Sequence, residues 1–221
     1  MTVHAPATVP SLPPPPGDAA AAPLALLHRA PGWIFHLVAT LGALALLWSA
    51  SYPLGNFLPL LVGFWWTVGC AAVWLVRLIT YVSGRRLAVP SGRSRGFLIA
   101  PIGGLVVIAL MALGVPLAAR WGLSRGAFDA RADQLVAEAA ESGAGRKRDV
   151  LDGDRVALYI VRNATVDASG GVYFVIEGSG FVDGGGFARL PDGPPPTGLE
   201  PGEPEQFEHL DGDWYTFVEP F

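Results

Sequence analysis

From Pro31 to Ala119 the chain contains no acidic residue and only five charged ones, all arginine: Arg77, Arg85, Arg86, Arg93 and Arg95. Soluble domains carry about a quarter of their residues as charges, so so long a stretch without a carboxylate does not belong to an ordinary water-facing fold. Beyond it the balance reverses. The span Arg120 to Phe221 holds nine basic residues against eighteen acidic ones, a net of −9. The residues before Arg120 net +5, from six arginines and one aspartate, which gives the chain total of −4. The pattern predicts an apolar, membrane-embedded front half and an acidic, water-soluble back half.

Several classes are excluded at once. Cys70 is the only cysteine and lies in an apolar run, so neither an intrachain disulfide framework nor a zinc finger can form. An acidic half of net −9 argues against a nucleic-acid partner for that half. The excess of arginine over lysine, with abundant Ala, Gly and Pro, reads as GC-rich coding bias.

Residues 1–31 read as a disordered Pro/Ala-rich arm. Pro13 to Pro16 favour an extended polyproline conformation, and Ala19 to Ala22 offer no periodic apolar face. Such an arm serves as a spacer, with docking to an aromatic-grooved proline-binding domain as the alternative. Residues 32–119 then carry three apolar segments, about Trp33 to Tyr52, Phe57 to Val82 and Phe97 to Ala119. Each meets the length of about 20 residues that a helix needs to cross a hydrocarbon core. Trp33, Trp48, Tyr52, Tyr81 and Trp121 fall near the segment ends, where amphipathic rings prefer the headgroups. Pro59 and Pro101 stand near the starts of the second and third segments, and Pro116 is expected to kink or end the third. Small pairs such as Ala39 with Ala43, or Ala100 with Gly104, are spaced for close helix packing.

Orientation follows from the arginines. The link Pro53 to Asn56 is uncharged, whereas the link between the second and third segments carries Arg85, Arg86, Arg93 and Arg95. Positive charge marks the cytoplasmic side, so these four set the topology. The N-terminal arm is then cytoplasmic and residues 120–221 are extracytoplasmic, with the whole chain a multi-pass protein of a plasma (inner) membrane. A cleaved signal peptide ending near Ser49-Ala50-Ser51 is the alternative for the first segment, and it leaves the acidic half where it is. Those arginines also suit anionic lipid heads. Arg77, inside the second segment and about one turn from its cytoplasmic end, can snorkel to the headgroups, the alternative being a role in gating or transport. His36 reads as interfacial.

In residues 120–221, Ser124 is placed to cap a helix with Phe128, Ala132, Leu135, Val136 and Ala139 on one face and Gly143 at its end. Gly145 to Asp154 reads as a charged connector. Strands are expected at Val156 to Arg162 and Val172 to Glu177, around a hairpin turn at Asp167 to Gly171. Phe187 to Leu190 precede the Pro191 to Pro196 break, and Gln206 to Leu210 and Trp214 to Val218 flank a second tight turn. Tyr173, Trp214 and Phe217 are the expected core anchors. The expected fold class is membrane α-helical, with three transmembrane helices, plus a small C-terminal α+β domain with an antiparallel β-meander.

Candidate chemistry is sparse. His209 with Asp211 and Asp213 is the one His–carboxylate grouping in the acidic half. As chemistry it would be a general base oriented by an aspartate; as structure it is a strand end and an Asp-Gly turn. Asp211, Asp213 and Glu208 lack the spacing of a full calcium loop. The glycines from Gly178 to Gly186 match neither a dinucleotide fingerprint nor a lysine-containing phosphate loop, and read instead as a bulge or wide turn. The residues therefore call for no catalytic set, no cofactor and no metal. The function expected is an anchored outer domain that meets a membrane or envelope protein, envelope component or ligand, with a membrane enzyme or transport accessory as the alternative.

The order of spans followed by Leu123-Ser124-Arg125, Gly170-Gly171-Val172-Tyr173-Phe174-Val175, Gly180-Phe181-Val182-Asp183, Pro191-Asp192-Gly193-Pro194-Pro195-Pro196 and His209-Leu210-Asp211-Gly212-Asp213-Trp214-Tyr215 resembles a group of uncharacterised bacterial integral membrane proteins. The resemblance covers the third span and the acidic half best. It implies no activity, substrate or cofactor.

Overall fold

The acid-free stretch forms helices whose closest approach is made by glycine. The computed structural model describes residues 31–86, 96–142, 147–149, 153–181, 183–195 and 205–219. Within them α1 spans Trp33–Ser49, α2 Phe57–Arg86, α3 Gly96–Ala112 and α4 Val115–Ser142. α1 and α2 run antiparallel. A Cβ on Gly42 of α1 would sit 2.6 Å from the Trp66 ring of α2, and one on Gly63 would sit 3.0 Å from the Leu46 backbone nitrogen. The Trp66 indole N–H donates to the Val38 carbonyl at 2.9 Å, and Trp74 does the same for Phe97 at 3.0 Å. Ala39 and Ala43 are half-buried, while Gly104 faces open space, so the seam is set by Gly42 and Gly63 and not by the pairs the spacing suggests.

Among the described residues α2 is the one helix long and apolar enough by itself to cross a membrane, over Phe57–Ser83. α3 and α4 form a second such element when taken together, bent by 54°. The bend falls at Leu113-Gly114, where Gly114 has φ +65°, and Pro116 occupies the first turn of α4. α1 is apolar but has 17 residues, or about 26 Å of helix. It stops at Ser49, three residues before the expected end, because the Ser49 carbonyl accepts the Tyr52 and Asn56 N–H groups and folds the chain into a tight link.

Ser124 is not a helix cap. α4 starts nine residues earlier at Val115, and the Ser124 hydroxyl, fully buried, donates to the Arg120 carbonyl at 2.9 Å. The apolar period holds for Phe128, Ala132 and Leu135, all at zero exposure, and for half-buried Ala139, but Val136 faces out, 37% exposed.

Among the described residues the acidic half forms one antiparallel sheet of seven short strands: β1 Lys147–Asp149, β2 Asp154–Val156, β3 Tyr159–Val166, β4 Val172–Ile176, β5 Gly184–Arg189, β6 Glu205–Asp211 and β7 Trp214–Glu219. The order is β1-β3-β4-β5-β7-β6, with β2 also on β3. β1 lies in what the charge pattern suggests is a connector; it pairs Lys147 with Val166 on one half of β3 while β2 pairs Asp154 with Val161 on the other. β3, β4 and β5 are a meander, but the simple meander fails at the next step. The chain passes to the edge as β6 and returns as β7 between β6 and β5. Burial explains the exchange: Trp214, Thr216 and Phe217 of β7 are buried, whereas Gln206, Glu208 and His209 of β6 are exposed, and polar strands belong at edges.

α4 covers one face of the sheet. Trp121, Phe128, Ala132 and Leu135 pack with Tyr159, Val161, Phe174, Ile176, Phe187 and Trp214. Val175, Ala188, Leu190 and Phe217 form a smaller cluster with half-buried Tyr173 and Phe207 on the other face.

Candidate functional site

The most elaborate polar construction lies where the Ala50–Asn56 link meets the sheet. Arg120, on α4, is buried although it carries a fixed charge. Its guanidinium carbon lies 4.8 Å from the Trp48 ring centroid, 4.2 Å from Tyr52 and 4.1 Å from Tyr159. Its N–H groups donate to the Ser51 hydroxyl at 3.0 Å, the Tyr52 hydroxyl at 3.4 Å and the Leu158 carbonyl. A guanidinium tolerates this burial because planar rings and oxygen acceptors together replace its weak hydration. The Tyr159 hydroxyl donates to the Ser51 carbonyl at 3.1 Å. Burial pushes the Tyr159 phenol above its ordinary range, with Arg120 pulling it down and Tyr52 pushing it up more weakly.

A second contact extends the joint. The Gly180 N–H donates to the Gly55 carbonyl at 2.9 Å, and Asn56 and Gly180 form a parallel bridge. The Leu54 N–H donates to the Ser179 hydroxyl at 3.2 Å. Phe57, the first residue of α2, stacks on Phe181 with centroids 3.9 Å apart. The glycine segment between β4 and β5 is thus a turn, as its composition suggests, but one shaped to receive the link. Gly180 has φ +83°, and a Cβ on Gly185 would sit 2.7 Å from Leu54. The link and the sheet are fastened at two points.

The hairpin carrying His209, Asp211 and Asp213 gives each residue a different partner. His209 Nε2 lies 3.0 Å from the Gly212 carbonyl, which can only accept, so that nitrogen carries the proton and the imidazole closes its own turn. Asp211 pairs with Arg125 of α4, which also lies 3.7 Å from Asp129. The Trp214 indole N–H donates to Asp129 at 2.9 Å. Asp213 contributes its carbonyl to the Leu190 N–H, and its side chain is exposed. Among the described residues no group of three His, Cys, Asp or Glu side chains is placed to hold a metal ion.

Of the arginines expected to set the topology, Arg85 and Arg86 end α2, while Arg93 and Arg95 lie outside the described residues. Arg77 lines a groove of about 820 Å³ between α1 and α2, together with Trp33, Val38, Trp65, Gly69 and Cys70. The Arg77 Nε and the His36 Nε2 are both buried without a hydrogen-bond partner. Arg120 escapes the sequence reading, which counts it only as the first charge of the acidic half. Its neighbours Trp121 and Leu123, the polar Ser49 that ends α1, and Ser51, Tyr52 and Asn56 of the uncharged link are the signals that could have found it.

No family model matches this chain, and neither a curated protein nor a solved structure does.

Proposed function

We propose that the protein is a multi-pass integral membrane protein of a bacterial plasma membrane, and that its acidic half is an extracytoplasmic module that meets a partner protein, an envelope component or a ligand without catalysing a reaction. In this reading α1, α2 and the bent α3–α4 pair are three spans, and the N-terminal arm and the arginine-rich link face the cytoplasm. The observation that carries it is the joint around Arg120. It joins the link after α1 to the sheet after α4, so both lie on one side of any bilayer that α2 crosses. The chain must then cross an even number of times between them, and the α3–α4 pair is the element available to return it. The exterior supports the same arrangement. Among the described residues most of the large exposed apolar side chains fall between Trp33 and Leu113, with Leu105 67% and Ile108 64% exposed. That is the exterior a lipid environment accepts and water does not. α1, at about 26 Å, is slightly shorter than the hydrocarbon core, a mismatch that local thinning of the bilayer absorbs.

Non-enzymatic action is supported by the separate partners of His209, Asp211 and Asp213. Its test is His209→Gln, which keeps a polar side chain and removes the titratable ring. A binding module should retain its cellular phenotype and the partners captured by in-cell crosslinking from exposed Ser169. A folded His209→Gln protein that loses the phenotype would overturn the non-enzymatic reading.

A further inference from the structure

We infer that the groove between α1 and α2 binds one anionic phospholipid, its acyl chain along the helices and its phosphate on Arg77. The inference rests on the proposed membrane location. The groove is walled by Ile34, Phe35, Val38, Trp65, Trp66 and Val73, and its volume of about 820 Å³ falls in the range of small-molecule sites. From Trp65 to Arg77 it follows α2 for about 18 Å. Its floor is open at Gly69, where a Cβ would meet nothing within 4 Å. The contacts Trp66–Val38 and Gly63–Leu46 set the antiparallel register, and that register brings Arg77 level with Gly32 and Trp33 at the start of α1. Trp33 is 74% exposed, as suits a ring at the headgroups. The cation therefore stands at the wet end of an apolar trough, which is the charge distribution of an anionic lipid in reverse.

Arg77 also needs an anion. Residues 31–119 contain no carboxylate, and among the described residues none pairs with its guanidinium, whose Nε is buried without a hydrogen-bond partner. The phosphodiester of an anionic head accepts from such a group with its net charge intact, whereas a zwitterionic head carries the same phosphodiester beside an ammonium that offsets it.

Native mass spectrometry of the full chain, released from detergent with added phosphatidylglycerol or phosphatidylcholine of identical acyl chains, tests this. The wild type should retain one phosphatidylglycerol in preference to phosphatidylcholine. Arg77→Gln should lower that retention at least about tenfold, as loss of a hydrogen bond to a charged group implies, and Arg77→Lys should keep it. Gly69→Leu, which fills the trough, should reduce retention of both lipids. Equal retention of the two lipids by the wild type, or full retention by Arg77→Gln, would overturn the site. Release of the chain from membranes by alkaline carbonate would overturn the membrane location itself. A chain that stays in the membrane without lipid preference overturns the lipid site alone.

Discussion

Replacing Arg120 by glutamine removes a cation from among three rings and leaves the Leu158 carbonyl and the Ser51 hydroxyl without a charged donor. A desolvated cation–π contact and a charge-assisted hydrogen bond are each worth about 2 kcal/mol, and glutamine recovers part of the second. We expect Arg120→Gln to destabilise the full chain in detergent by about 3 kcal/mol, followed by urea and tryptophan fluorescence. A loss under about 0.5 kcal/mol is the mark of an ordinary surface site and would contradict the joint. Tyr159 gives the same joint a pH signature. Its phenol is held above the usual value of about 10 by burial, so the folded state keeps a proton that the unfolded state releases. Stability from this group is complete below about pH 10 and falls as pH rises beyond it. Tyr159→Phe should flatten that alkaline loss while costing about 1 kcal/mol at neutral pH, from the lost bond to the Ser51 carbonyl. An unchanged alkaline slope in the variant would show that other groups cause it.

At the scale of elements, α4 does two jobs that its sequence divides at Arg120. Its first turns carry Arg120 and Trp121 into the joint and the core, and its later turns lay Phe128, Ala132 and Leu135 on the sheet. A fragment of residues 115–221 should therefore be more stable than one of residues 123–221, which lacks the buried Trp121 ring, by about 3–5 kcal/mol. Equal denaturant midpoints for the two would mean that Trp121 is not part of the domain core. The sequence shows the 3.6-residue period of this helix because burial writes it directly, but not its start: nothing in Leu113-Gly114 marks whether a helix bends or ends. β4, β5, β6 and β7 are legible through short alternating runs and their turns, whereas the run Val156 to Arg162 is split into β2 and β3 by a turn at Ala157, where φ is +50°. β1 is hidden because Lys147 to Asp149 are all charged and offer no apolar run to mark a strand. The place of β7 inside β6 follows from pairing across the long Pro191 connection, which no local pattern encodes. The joint is illegible for the same reason, since Ser51 and Arg120 are brought together only by the fold.

For the whole molecule, the contact between the Ala50–Asn56 link and the sheet turns a set of helices into an argument about sides. A domain fastened to the link before α2 cannot be separated from it by a bilayer that α2 crosses, so the fold requires both on one side. In the proposed orientation the arginine-rich link after α2 is the cytoplasmic one, and the joint keeps the domain on the opposite side of the bilayer from it. The most direct measurement places single cysteines at Ser91 and Ser169 in a Cys70→Ser background and exposes cells to a membrane-impermeant thiol reagent. Position 169 should label on intact cells and position 91 only after lysis. Labelling of position 91 on intact cells, with position 169 protected, would contradict the account.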